Sequence, residues 1–310
     1  MICENILEAI GNTPVIQLNR MVTPDMARVL VKFEGLNVGG SIKTRTAYNM
    51  LAAAEAEGLI GPDSVIVEPT SGNQGIGLSL IGAVKGLRVV IIMPDSVSEE
   101  RRKLMHHYGA EVVLVHDEGN IGEAMDECLR LAEKMAAEDP KVFIPQQFTN
   151  PHNPEVHRNH TALELAGQVA GPIHGFCSGF GTGGTLSGIG ETLKKLNPET
   201  EIWAVEPENA AILSGGTIGT HLQMGIGDGL IPENLNTGIY DHIYIVSDEE
   251  ALETTRDLAR REGIMAGISS GTNVAAALQL AKKLGPGKTV VTVLPDTAER
   301  YFSTPLFEGE

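Results

Sequence analysis

Cysteine is scarce. Cys3, Cys128 and Cys177 are the only three in 310 residues. An odd count at wide spacing excludes a disulfide framework and offers no zinc-ligand spacing, and it fits a reducing cytoplasm. Long apolar runs are also missing. Stretches such as 89–93 are far too short to cross a bilayer. The opening MICENILEAIGNTP has neither the basic start nor the apolar run of a signal peptide. Positive charge is short: the formal net charge is −17, and no long basic run appears. That excludes nucleic acid and membrane as partners and leaves the acidity as solubility. The one tryptophan, Trp203, lies in an apolar run and is expected in a core.

What the chain does have is alternation. With 42% hydrophobic and 20% charged residues, it has the composition of a globular protein with room for two cores. Short apolar runs at 64–68, 88–93, 112–115, 175–178, 201–206 and 289–294 read as buried strands. Amphipathic stretches at 46–57, 75–85, 98–107, 121–137, 185–196, 248–262 and 272–284 read as helices between them. This order predicts an α/β fold of two doubly wound domains with mainly parallel sheets. The polar stretch 148–160, with two prolines and three histidines, reads as a loop between the domains, and ligand is expected in the cleft at the carboxyl ends of the strands. His152, His157 and His160 show no metal spacing, so no metal is expected.

Three separated segments carry chemistry. Lys43 follows Gly39-Gly40-Ser41-Ile42 at a predicted helix start. A lysine alone reads as a surface charge. One near a helix N-terminus and buried has a lowered pKa, which a Schiff-base lysine needs. Thr70-Ser71-Gly72-Asn73-Gln74-Gly75 lies at a strand-to-helix junction. Its crowded polar side chains and glycines suit a substrate carboxylate and a ring hydroxyl. Gly179-Phe180-Gly181-Thr182-Gly183-Gly184-Thr185 follows a strand and opens a helix. On its own it fits two readings: a dinucleotide fingerprint with Glu206 as ribose acid, or a nest for a single phosphate. Lys43 and the Thr70–Gly75 segment favour the single phosphate, and so pyridoxal 5'-phosphate. Cys177, in a buried strand, reads as an inert thiol.

These segments, with Ile10-Gly11-Asn12-Thr13-Pro14, Gln146-Gln147-Phe148, Gly225-Ile226-Gly227, Gly267-Ile268-Ser269-Ser270-Gly271 and Glu299-Arg300-Tyr301, make nearly the whole chain resemble the cysteine synthase (O-acetylserine sulfhydrylase) and cystathionine β-synthase family, pyridoxal-phosphate enzymes of fold type II. The resemblance implies that Lys43 carries the cofactor. Asn73 would bond its ring oxygen, Ser269 would meet its ring nitrogen, and Gly181, Thr182, Gly183, Gly184 and Thr185 would take its phosphate. Thr70, Ser71, Asn73 and Gln147 would hold the substrate carboxylate, with Gln74 in the same pocket. The implied reaction is β-replacement through an aminoacrylate, with sulfide adding to give cysteine.

The resemblance further implies a smaller mobile domain over 44–150 against a larger one built from 1–43 and 151–310. It implies a homodimer, and serine acetyltransferase binds some relatives at the cleft. Two departures stand out. Gln74 replaces a threonine, and Asp228 stands in Gly225-Ile226-Gly227-Asp228-Gly229 where alanine or proline is usual. Asp228 reads either as a turn residue or as a second catalytic group. In the second case release of hydrogen sulfide from cysteine becomes the rival reaction. A nicotinamide dehydrogenase, a silent binding protein and a serine or threonine deaminase remain as alternatives.

Overall fold

The computed structural model describes residues 2–70, 72–118 and 121–308. The strands are β1 (Val15–Gln17), β2 (Arg28–Phe33), β3 (Val65–Pro69), β4 (Arg88–Pro94), β5 (Glu111–Val115), β6 (Val142–Phe143), β7 (Gly175–Gly179), β8 (Glu201–Pro207), β9 (His242–Val246) and β10 (Thr289–Leu294). They form two sheets. One has the order β1-β2-β10-β7-β8-β9 and the other β5-β4-β3-β6. Every pair is parallel except β1 with β2. Parallel strands need crossovers, and the helices supply them.

The helices are α1 (Lys43–Ala56), α2 (Asn73–Lys85), α3 (Glu99–His107), α4 (Ile121–Glu138), α5 (His152–Val156), α6 (Ala162–Gln168), α7 (Gly184–Leu196), α8 (Asp248–Asp257) and α9 (Ile268–Leu284). Both sheets are covered on both faces, as the strand period of two requires. In β10, Val290 turns to a core with Ala251 of α8 and Val274 of α9, while its neighbour Val291 turns to a core with Leu165 of α6 and Ile189 of α7. In the smaller sheet Ile66 and Ile91 meet α1, α2 and α3, while Val67 and Val90 meet Cys128 and Ala132 of α4. The two-sheet α/β class is the expected one. Among the described residues no helix is long and apolar enough to cross a membrane.

One expectation is corrected. Residues 148–160 are not simply a loop, because α5 starts at His152 and runs through a π turn, His157–Thr161, into α6. Pro151 and Pro154 sit at its start, where a helix leaves N–H groups unused anyway. Of its three histidines, His157 is buried at 1% exposure.

The smaller sheet is joined to the larger beside Lys43. Arg45 of α1 pairs with buried Glu34 at 2.8 Å and with Glu164 of α6 at 2.6 Å. Glu164 also takes Lys32 of β2 at 2.6 Å. Burial pushes the Glu164 carboxyl up, but the Arg45 hydrogen bonds and charge, with Lys32, hold it down to about 2. Lys32 itself is lowered by burial, against the pull of Glu164.

Candidate active site

Lys43 is the first residue of α1, and its backbone N–H donates to Ser41 Oγ at 3.3 Å. Its Nζ donates to Thr182 Oγ1 at 3.4 Å. Burial lowers its pKa, against the opposing pull of the Asp228 and Glu68 charges. An edge of Lys43 still reaches solvent. The desolvation is therefore crowding around the charge in a cleft, not complete enclosure. Glu68, at the carboxyl end of β3, is pushed up to about 7 by burial, although the backbone N–H groups of Gln147 and Gln146 and the Lys43 charge favour its ionised form.

The glycine segment turns between β7 and α7. Gly183 adopts φ +79° and precedes α7 without a side-chain cap, and α7 has no acid in its first turn. The N–H groups at that helix start are therefore left to serve a candidate anion site. A Cβ on Gly181 would lie 2.6 Å from Gly225 O and 2.7 Å from Asp228 Oδ2, and one on Gly183 would lie 2.7 Å from the Leu235 backbone. One on Gly184 would overlap Asn153 Oδ1. At these three positions the loop keeps its shape only without side chains. Thr182 Oγ1 accepts from Asn153 Nδ2 at 2.8 Å and from Lys43, which leaves its own O–H to donate. Thr185 Oγ1 lies 3.4 Å from His157 Nε2. A compact amide nest, two hydroxyls and an adjacent lysine fit a single phosphate on a carbonyl-bearing cofactor. Glu206 does not serve a ribose. It is buried and accepts from Leu213 N at 2.7 Å and from Ser214 N and Oγ at 3.2 and 2.9 Å.

The second segment lies beyond β3. Thr70 Oγ1 accepts from Gln147 Nε2 at 3.3 Å and from Gly72 N at 3.3 Å. Gln147 O in turn accepts from Asn153 Nδ2 at 2.8 Å, which links this segment to the glycine cradle. Asn73 opens α2 and donates to Asp296 Oδ2 at 2.7 Å. Gln74 is buried, and among the described residues neither of its amide atoms has a hydrogen-bond partner. Ser71 lies outside the described residues. Ser269 is buried in the first turn of α9, two residues after Gly267, whose N–H donates to Asp296 O at 3.2 Å.

Asp228 sits among Gly225, Gly227 and Gly229, all at positive φ. Gly227 N donates to Phe180 O at 3.0 Å, which ties this loop to the cradle. Much of Asp228 reaches solvent. Crowding against the cradle nevertheless raises its pKa, outweighing the Lys43 and His221 charges. So Lys43 shifts down and Asp228 shifts up although each attracts the other's charge; for both, desolvation by the crowded cleft wins.

Sequence reasoning gave no role at this cleft to Glu68, Asn153, His157, Asp296 or Arg300. Glu68 had a visible signal, an acid ending an apolar strand just before the polar segment. Burial, then the Arg45 and Lys43 charges, keep His157 well below the usual histidine range. Among the described residues no group of three or more His, Cys, Asp or Glu side chains could hold a metal ion.

Residues 6–296 match the family described as pyridoxal-phosphate dependent enzyme. A cysteine synthase of Staphylococcus aureus strain Mu50 is 51% identical over 305 residues, covering 98% of this chain and 97% of that one. The crystal structure of O-ureido-L-serine synthase superposes with a TM-score of 0.93 at 41% identity, over 100% of this chain and 96% of that one. A hydrogen sulfide-producing enzyme from Fusobacterium nucleatum superposes at 0.91 with 39% identity, over 97% and 100%. With a lysine at a helix start facing a one-phosphate cradle, and a family match over nearly its whole length, this chain belongs to the pyridoxal-phosphate dependent enzymes.

Proposed function

We propose that the chain is a cysteine synthase: it exchanges the β-substituent of O-acetylserine for sulfide, giving L-cysteine and acetate. The observation that carries this reading is the Lys43 amine, desolvated at the start of α1 and 3.4 Å from the cradle hydroxyl of Thr182. Relatives of the same length named cysteine synthase support the choice of reaction.

Pyridoxal phosphate supplies the electron sink that lets an amino acid lose its α-proton and its β-substituent. The chain's residues do the rest. Gly181, Thr182, Gly183, Gly184 and Thr185 hold the phosphate. Ser269 would meet the ring nitrogen with a hydroxyl, which would not hold a proton there as a carboxylate would. Thr70, Ser71, Asn73 and Gln147 hold the substrate carboxylate, with Gln74 beside them. Lys43 would hold the cofactor through Nζ and, once released, would take the α-proton at the same atom. Its lowered pKa suits it to act as a base. Residues 44–150 move as the smaller unit against 1–43 and 151–310, closing over the carboxylate and excluding water.

The same reading makes the protein a cytoplasmic homodimer, with serine acetyltransferase as a candidate partner at the cleft. Its three cysteines are free.

The test is the absorption spectrum of purified protein. Addition of O-acetylserine should shift the visible band, and sulfide should restore it with cysteine formed. Sulfide released from cysteine alone, with little synthesis, replaces this reading with a cysteine lyase whose product is serine or lanthionine. One observation favours keeping that second reading: Asp228 Oδ2 stands at the rim of the cradle, 2.7 Å from where a Gly181 Cβ would be. If Asp228→Ala leaves the ratio of rates on cysteine and O-acetylserine unchanged, Asp228 does not select the reaction.

A further inference from the structure

Asn73 is held between two opposite charges that follow β10. Its Nδ2 donates to Asp296 Oδ2 at 2.7 Å, and its Oδ1 accepts from the Arg300 guanidinium. A carboxylate only accepts and a guanidinium only donates, so the amide has one orientation. Flipping it would set N–H against guanidinium and oxygen against carboxylate.

Both partners are themselves fixed. Asp296 is 1% exposed and accepts from the buried Tyr301 hydroxyl at 2.7 Å. Arg300 is 4% exposed and also donates to Gly39 O, while its own carbonyl accepts from Ser98 Oγ at 3.4 Å. An amide nitrogen has two hydrogens. Asp296 takes one, and the hydrogen bonds among the described residues use no other. Arg300 on the amide oxygen polarises the group and strengthens the remaining N–H as a donor. A second feature goes beyond a simple structural tie. Asp296 Oδ1 is buried and has no partner among the described residues, and it packs on the α-carbon of Gly267 just before α9. A half-satisfied buried carboxylate is costly.

We propose that Asp296 and Arg300 are positioning residues, which aim the second Nδ2–H of Asn73 at the ring oxygen of the cofactor carried on Lys43. This rests on the reading above, in which Asn73 meets that oxygen. The ring oxygen is negatively charged in the form of the bound cofactor that absorbs visible light and carries a proton in the form that absorbs in the near ultraviolet. A well-aimed N–H favours the first form.

The experiment is the absorption spectrum of cofactor-loaded protein for Arg300→Met and Asp296→Asn, each alone and combined with Asn73→Ala. The visible to near-ultraviolet ratio should fall about fivefold in each single variant, the factor one ordinary hydrogen bond makes. Neither change should lower it further once Asn73 is alanine. Arg300→Lys, which keeps the charge and one donor, should recover part of the ratio and covers the case where Arg300→Met fails to fold. An unchanged ratio in the single variants, or an equal extra fall in the Asn73→Ala background, overturns the proposal. Failure of the unaltered protein to take up the cofactor overturns the functional reading as well, so the two failures are distinguishable.

Discussion

Replacing Glu68 by glutamine should change the way stability depends on pH. Burial raises the Glu68 carboxyl from 4.5 to about 7. Its folded pKa is therefore above the unfolded one. From about pH 4.5 to 7 the folded protein keeps a proton that the unfolded chain releases, so unfolding becomes easier as pH rises. The shift is about 2.5 units, and at about 1.4 kcal/mol per unit Glu68 costs the folded state about 3–4 kcal/mol above pH 7. Glutamine removes that term but sets an N–H₂ against one of the two backbone N–H groups, Gln146 or Gln147, that the carboxylate now accepts from at 3.0 and 3.2 Å. That loss is about 1–3 kcal/mol and does not depend on pH.

Urea unfolding across this range reads both. The variant should be less stable near pH 4.5 and should draw level with, or pass, the unaltered protein near pH 7. A stability gap that stays flat within about 1 kcal/mol would refute the reasoning. A second readout follows from Lys43, which the Glu68 charge holds up. In Glu68→Gln its pKa should fall further, moving the acid limb of cofactor attachment to lower pH.

Other outcomes follow from the same structure. Gly184→Ala should cost about 1–3 kcal/mol through overlap with Asn153 and weaken uptake of the phosphorylated cofactor, read by thermal melting and by fluorescence titration. Arg45→Met leaves Glu34 buried at 0% exposure with, among the described residues, Thr13 and Asn37 as its remaining side-chain partners. It should lose about 3–5 kcal/mol in urea unfolding, and a loss under about 1 kcal/mol would show that the network is not needed. Burial pushes the Cys177 thiol up to about 12 and Cys128 up to about 11. Iodoacetamide at about pH 8 should therefore label only the half-exposed Cys3 until the protein is unfolded.

The parts of this molecule legible in the sequence are those whose geometry is local. The glycine cradle and the Thr70–Gly75 segment carry their conformational demands in consecutive residues, and the strand at 289–294 is built from valine, leucine and β-branched threonine alone. Elements stabilised from afar were hidden. β2 contains Lys32, which interrupts its apolar run; the matching Glu164 lies 132 residues away. The amphipathic pattern marks a helix only from residue 272, whereas α9 begins at Ile268, and the missing Cβ of Gly271 lets α8 approach at Ala251 and Thr255. The role expected for Ser269 came from resemblance alone, since nothing in a buried serine marks a ring nitrogen. Asp296 and Arg300 reach Asn73 across 223 and 227 residues, a separation that no window of sequence spans.

The order of strands in the larger sheet has a consequence for biosynthesis. β10, the last strand made, lies between β2 and β7. During synthesis, β2 emerges early and has only short β1 beside it until the ribosome has added more than 250 further residues. The four strands of the smaller sheet, all between Val65 and Phe143, can pair long before that. The smaller unit can therefore fold while the chain is still growing, and the larger sheet closes only at the end. Such late, distant pairing leaves strand edges open to aggregation. A translation stop before residue 289 would produce a protein with a folded small sheet and a large sheet divided at its centre.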